Sequence, residues 1–217
     1  MRLPLSFALA VLLSASLSLS LSGCSGGTET DDVTGIPASW LEKTADGWTA
    51  SDAFGGDMPV LTRERCQLGD VVPDVLGEKP EITDSGWGSY GDDPEAADSY
   101  RYVCDFWSEG RFAGSLQLIH AADPATAEQT LEDFVSQIDT TDQDNTVTTV
   151  RVGQLDVHVL ARWYPTNPQG EYQALYLDTE NNALAVFEVN SLKDDDYAEY
   201  SDTRVAEDLV TALAVGT

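Results

Sequence analysis

The chain has 217 residues, of which 38 are acidic and 11 basic, for a net charge of −27 at neutral pH. That balance argues against nucleic acid as a partner, because phosphate neutralisation needs clustered Lys and Arg. It also opposes electrostatic docking on an anionic lipid surface. The carboxylates are scattered rather than gathered into a tail, so they read as a solubilising surface.

In chain order, the first feature is a secretory leader. Arg2 supplies a positive start, Leu3 to Leu21 form an apolar stretch, and the small residues Ser22 and Gly23 precede Cys24. The stretch approaches the roughly 20 residues that a bilayer core needs. Serines at 6, 14, 16, 18, 20 and 22 dilute it, and no cluster of stop-transfer charges follows. Leu21-Ser22-Gly23-Cys24 has the form of a bacterial lipobox. In that motif the cysteine thiol takes a diacylglyceryl group as a thioether, and cleavage frees an amine for further acylation. One acyl chain binds membranes marginally, whereas two or more hold stably.

The expected organisation is therefore a signal peptide over 1–23, then the lipidated Cys24 with a flexible tether to 35, then one extracytoplasmic domain over 36–217. Residues 25–35 (SGGTETDDVTG) have no apolar periodicity and suit a tether. Removing the leader leaves 194 of the 217 residues, enough for one domain with a sizeable core. The expected location is the extracytoplasmic face of the cell membrane, reached through the lipid anchor.

With Cys24 assigned to lipidation, Cys66 and Cys104 remain as a pair in an oxidising compartment, where a disulfide is expected. A two-cysteine metal site lacks neighbouring histidine or further cysteine ligands. No cofactor and no metal site are expected.

Residues 36–58 carry Trp40, Trp48 and Phe54 with weak patterning and suggest one short helix near Ser39. Asp70 to Gly77 has the cap, apolar face and stop of a short helix. Glu81 to Ser99 reads as a Gly/Asp/Ser-rich loop that presents Trp87 and Tyr90 as a candidate binding pair. Tyr100 to Trp107 alternates with period two, Ser108-Glu109-Gly110 is a turn, and Arg111 to His120 returns, which makes an antiparallel hairpin.

Asp123-Pro124 starts a helix whose buried face is Ala127, Leu131, Phe134, Val135 and Ile138. Four strands are expected over 146–152, 157–163, 172–177 and 183–189, joined by short turns and therefore antiparallel. A final helix is expected over 197–213. The sum is α+β, an antiparallel sheet of about six strands with packed helices, like an α/β/α sandwich.

A cysteine leading into a short helix, a second cysteine on the first strand, and this element order together resemble small actinobacterial lipoproteins of the DUF3558 type. More loosely, they resemble Mog1/PsbP-like sandwiches. The resemblance spans Cys66 to Leu213 and implies an envelope protein, with no catalytic residues to carry over. Where that type often has Trp two residues after its second cysteine, this chain has Phe106.

Chemistry-bearing motifs are sparse. The two histidines, His120 and His158, both fall inside expected strands, and no G-x-S-x-G elbow exists to build a serine nucleophile around them. Gly86, Gly88 and Gly91 spell G-x-G-x-x-G, but Asp92-Asp93 follow where a helix N-terminus would receive phosphate. The acidic groups Asp139/Asp142/Asp144 and Asp194/Asp195/Asp196 lack the glycine and terminal glutamate of an EF-hand and read as solvated surface. The leading expectation is a non-catalytic envelope module that binds a protein partner or a small ligand. The alternative is an envelope hydrolase using His158 or paired carboxylates such as Asp105 with Glu109.

Overall fold

A computed structural model describes residues 30–42, 66, 68, 81–90, 99–108, 110–142 and 144–215, with backbone alone at 31, 81–90 and 194. The lipobox, residues 24–29 of the expected tether, the expected 70–77 helix, Trp48, Phe54 and Glu109 lie outside the described residues. The rest of the expected tether is corrected: Thr30–Asp32 form a short 3-10 helix and Val33 is buried in the larger core, so the folded domain starts before residue 36. No helix among those described is long and apolar enough to cross a membrane.

The architecture is the expected α+β class, built on a fully antiparallel sheet. Seven strands form it: β1 (Glu81–Tyr90), β2 (Ser99–Ser108), β3 (Arg111–Ala121), β4 (Thr146–Val152), β5 (Leu155–Tyr164), β6 (Gln169–Asp178) and β7 (Ala183–Leu192). Their spatial order is β1-β2-β3-β7-β6-β5-β4. Two meanders, one of three strands and one of four, thus meet at an antiparallel seam between β3 and β7. A helix, α1, covers the described residues 38–42, in keeping with the helix expected near Ser39. Helices α2 (Pro124–Ser136), α3 (Asp194–Glu199) and α4 (Asp202–Val215) complete the layers.

The sandwich follows from strand periodicity, since alternate residues point to opposite sides. On β7, Ala185, Phe187 and Val189 join a core beneath α4, with Val205, Leu209 and Leu213 of that helix. Leu184 and Val186 face the other way, into a smaller core with Ile119, Leu160 and Leu175, against which Leu131, Phe134 and Val135 of α2 pack. Phe187 is fully buried. Burying a side chain of this size is worth roughly 1.5–3 kcal/mol, so the central strand is stabilised from both sides.

Local signals account for the helices. Asp123 is extended (φ −153°, ψ 166°) and its carboxylate accepts from the Thr126 N–H at 3.0 Å, which caps α2 ahead of Pro124. The segment expected to be one helix over 197–213 is instead two. Tyr200 is extended (ψ 155°) and ends α3. The Ser201 hydroxyl then accepts from the Arg204 N–H at 3.2 Å and caps α4. The serine cap outcompetes helix continuation because it satisfies an otherwise orphaned donor.

The loop expected over 81–99 is corrected. Residues 81–90 form edge strand β1, paired antiparallel with β2 so that Trp87 lies opposite Tyr102 and Tyr90 opposite Ser99. An edge strand is held by its backbone ladder, so a Gly- and Ser-rich composition of low strand propensity conceals it. Gly86 and Gly88 sit within this strand opposite Val103 and Arg101.

The Cys66–Cys104 disulfide is present, with the two Cα atoms 5.4 Å apart. It ties the segment at Cys66 to β2 in the larger core. At the opposite end of the sheet, the Asp178 carboxylate accepts from the Ile36 N–H at 3.2 Å and from the backbone and side chain of Asn181. One carboxylate thereby closes the β6–β7 turn and latches the N-terminal segment, including buried Trp40, onto the core.

Candidate functional site

The sheet face beneath α2 divides into an apolar half and a polar half. Four strands carry the change of character at the same end. The series runs Ser115, Gln117, Ile119 on β3 and Leu184, Val186, Glu188, Asn190 on β7. It continues as Glu171, Gln173, Leu175, Leu177 on β6 and Leu160, Arg162, Tyr164 on β5. The register aligns them, with Ser115 opposite Glu188, Glu188 opposite Gln173, and Glu171 opposite Arg162.

These side chains form one continuous chain of hydrogen bonds. Gln117 Nε2 donates to Ser115 Oγ at 2.8 Å, and Ser115 Oγ donates to Glu188 Oε2 at 3.2 Å. Asn190 Nδ2 donates to Glu188 Oε1 at 2.8 Å and to Glu171 Oε2 at 3.2 Å. Arg162 Nη1 lies 3.2 Å from Glu171 Oε1 and donates to the Tyr164 hydroxyl at 2.8 Å, while its Nη2 donates to the carbonyl of Gln137 just past α2.

Two backbone irregularities flank the network. On β7 the register slips between Gly170/Leu192 and Tyr172/Val189, and Ser191 takes the left-handed conformation at φ 60°. The Asn190 carboxamide oxygen accepts the Ser191 N–H, and Ser191 Oγ donates to the Phe112 carbonyl at 3.0 Å. This bulge turns Asn190 between the two carboxylates; re-aiming a side chain is what such bulges do. On β3, Gly114 has φ 147°, and a Cβ there would sit 1.9 Å from the Glu188 carbonyl oxygen. Only glycine lets β3 approach β7 this closely beside the network.

The electrostatics are uneven. Glu171 has the Arg162 guanidinium against it. Glu188 has only neutral donors, Ser115 and Asn190, and among the described residues no cation forms an ion pair with it. Burial, reinforced by the Glu171 charge, pushes the Glu188 carboxyl above its ordinary range, and the Asn190 and Ser115 hydrogen bonds and the Arg162 charge oppose the shift. Gln117 is 8 % exposed, and its Oε1 is buried without a hydrogen-bond partner. Buried polar atoms are satisfied in the great majority of cases, so this one stands out. Trp107 and Phe112 pair across β2 and β3 with rings 6.1 Å apart, and the register places them on the same side as Ser115. Trp107 Nε1 is likewise buried without a partner.

The residues singled out in the sequence fall elsewhere. Trp87 and Tyr90 are on edge strand β1. His158 lies opposite Thr149 and Leu175, and its Nδ1 is 3.4 Å from the Thr149 hydroxyl. His120 is on β3, separated from β5 by β7 and β6, and by strand parity on the opposite side of the sheet, so the two histidines are not brought together. Burial lowers the His120 pKa. Asp105 lies opposite Ser115, at the β2 side of the network.

Of the acidic loop, Asp139 accepts from the N–H and hydroxyl of Thr141, and Asp142 accepts from the Asp144 N–H, so both serve turns. A groove of about 460 Å³ beside the β6–β7 turn includes Asp178, whose carboxylate already serves the N-terminal latch. Sequence reading missed the network itself. Its signal was present as the switch from apolar to polar within each period-two series, Leu184-Val186-Glu188-Asn190 being the clearest.

Compared with protein-family models, curated proteins and solved structures, the chain shows no match.

Proposed function

We propose that this protein is a lipid-anchored, extracytoplasmic binding module without catalysis, and that the polar half of the sheet face is where it holds a small ligand. The observation that carries the reading is the buried Gln117 Oε1, left without a donor at one end of a hydrogen-bonded chain running through Ser115, Glu188, Asn190 and Glu171. Leaving such an atom unsatisfied costs about 1–3 kcal/mol, a cost that a ligand bearing a donor group removes on binding.

The compartment rests on separate support. The leader and Cys24 have lipobox form, and the Cys66–Cys104 bridge suits an oxidising environment. The element order resembles envelope lipoproteins of the DUF3558 type, which agrees with that placement. A partner protein of the envelope remains compatible with the anchor, with the domain held away from the lipid by its tether.

Two experiments test the two halves of the reading. Cys24→Ala is expected to leave the chain unprocessed or released from the membrane fraction; unchanged processing and retention refute the anchor. Amide chemical-shift mapping during a small-molecule screen is expected to concentrate changes at Ser115, Gln117, Glu188 and Asn190. A screen whose hits all map elsewhere refutes the site.

A second reading, an envelope hydrolase, draws on one observation: Glu188 and Glu171 share the Asn190 amide, one beside a cation and one not. Acid and base partners are set apart by environments of that kind. Release of fragments from purified cell-wall glycan, abolished by Glu188→Gln, would establish it in place of the first.

A further inference from the structure

We propose that the group recognised by this site is an organic cation, an ammonium or guanidinium headgroup, bound between Glu188 and Gln117. The inference deepens the binding-module reading above and rests on it.

A balance of donors and acceptors leads there. The network's acceptors are four carboxylate oxygens and the Gln117 carboxamide oxygen. The donors nearest Glu188 are already placed: both Asn190 Nδ2 bonds go to carboxylates, Ser115 gives its hydroxyl proton to Glu188, and the Arg162 guanidinium serves Glu171, Tyr164 and Gln137. A carboxylate has about four acceptor positions, and among the described residues Glu188 is offered two protons. The unpaired donor of the patch, Trp107 Nε1, lies toward β2, and around Glu188 and Gln117 Oε1 the described residues leave acceptor positions open. Between Glu188 and Gln117 a ligand acceptor would meet carboxylate oxygens and an amide oxygen, and would be repelled.

Charge selects among donors. Two carboxylates face one guanidinium, and the guanidinium is on Glu171. A neutral hydroxyl would satisfy Gln117 yet leave Glu188 with only the more distant charge of Arg162, whose guanidinium is paired with Glu171. An ammonium or guanidinium supplies several N–H groups and a second positive charge for the two carboxylates together. Charge-assisted hydrogen bonds of this type are roughly twice as strong as neutral ones. Burial, which holds the Glu188 carboxyl above its ordinary range, is offset when a cation arrives.

The rings of Trp107 and Phe112 border the patch on the β2 side, the surface an organic cation prefers. A hard metal ion suits the geometry less well, since calcium takes six to eight oxygens. Among the described residues no group of three or more His, Cys, Asp or Glu could hold one. Glu188 keeps partial solvent exposure, so the carboxylate is reachable.

The test uses agmatine, putrescine and the neutral sugar N-acetylglucosamine as probes on the full chain at 150 mM salt, read by calorimetry and amide shift mapping. Agmatine or putrescine is expected to shift Ser115, Gln117, Glu188 and Asn190. Glu188→Gln is expected to weaken that binding at least tenfold while its amide fingerprint stays native-like. Glu180→Gln removes one exposed charge away from the site and is expected to leave affinity within twofold, which separates recognition from the pull of an acidic surface. Binding of the sugar at these residues, with none from the amines, overturns the cation class and leaves the binding module standing. Equal weakening by Glu188→Gln and Glu180→Gln overturns the class as well. Silence of these residues toward all three probes overturns both readings.

Discussion

Removing the Cys66–Cys104 bridge is expected to cost this domain a large part of its stability. The two cysteines are 38 positions apart, and the loop they close contains all of β1 and the first part of β2. In the chain-entropy picture, closing a loop of that length removes unfolded-state freedom worth about 4 kcal/mol. Domains of ordinary stability hold only about 5–15 kcal/mol in total. In a domain of this size each kcal/mol moves the melting temperature by about 2–4 °C, so the paired change Cys66→Ala with Cys104→Ala should lower it by about 8–16 °C.

Both side chains are buried in the larger core, at 5 % and 0 % exposure, and alanine leaves small voids that deepen the loss. Circular dichroism melts of the oxidised parent and the double variant measure the shift. Urea titration adds a second signature, because the uncrosslinked unfolded chain is more expanded and the denaturant slope should rise. A melting shift under about 3 °C, or a full shift with an unchanged slope, would refute the loop-entropy reasoning.

Two further outcomes are expected around the network. Gly114→Ala should destabilise the fold by about 3 kcal/mol or more in urea titration, because φ 147° strains any Cβ and the new carbon meets the Glu188 carbonyl; a loss below about 1 kcal/mol contradicts the close approach. For Glu188, burial raises the folded-state pKa above the ordinary value of 4.5, so the folded state binds more protons than the unfolded one between the two values. Its contribution to stability therefore falls as pH climbs through that window and is level above it. Glu188→Gln should gain stability relative to the parent from pH 4 to pH 7, and a difference that is constant or reversed with pH counts against the burial argument.

Local patterning carried most of the fold. Asp123-Pro124 marked its helix because cap chemistry is local, and the strands from Thr146 onward were legible because one face of each is buried and alternation records that. Two features were hidden by the same cause, competition that composition does not show. Glu81–Tyr90 looked like a loop because its pairing is with backbone, and the helix expected over 197–213 broke where Ser201 offered a better cap. The disulfide was legible by count, since reading Cys24 as a lipobox cysteine leaves Cys66 and Cys104 as a pair.

The candidate site was a different matter. Each strand announced its own polar residues, Glu188 and Asn190 on β7 or Ser115 and Gln117 on β3, and any one of these pairs alone reads as a solvated face. Sequence by itself determined the class of fold, the pairing of the cysteines and the period that sends these side chains to one side. The strand order and antiparallel register decided that the polar ends of four strands, with Ser115 and Glu188 73 residues apart across the β3–β7 seam, lie together at one end of the sheet. That outcome is nonlocal because strand pairing is chosen by burial of the whole apolar set, and the polar remainder is carried along with it.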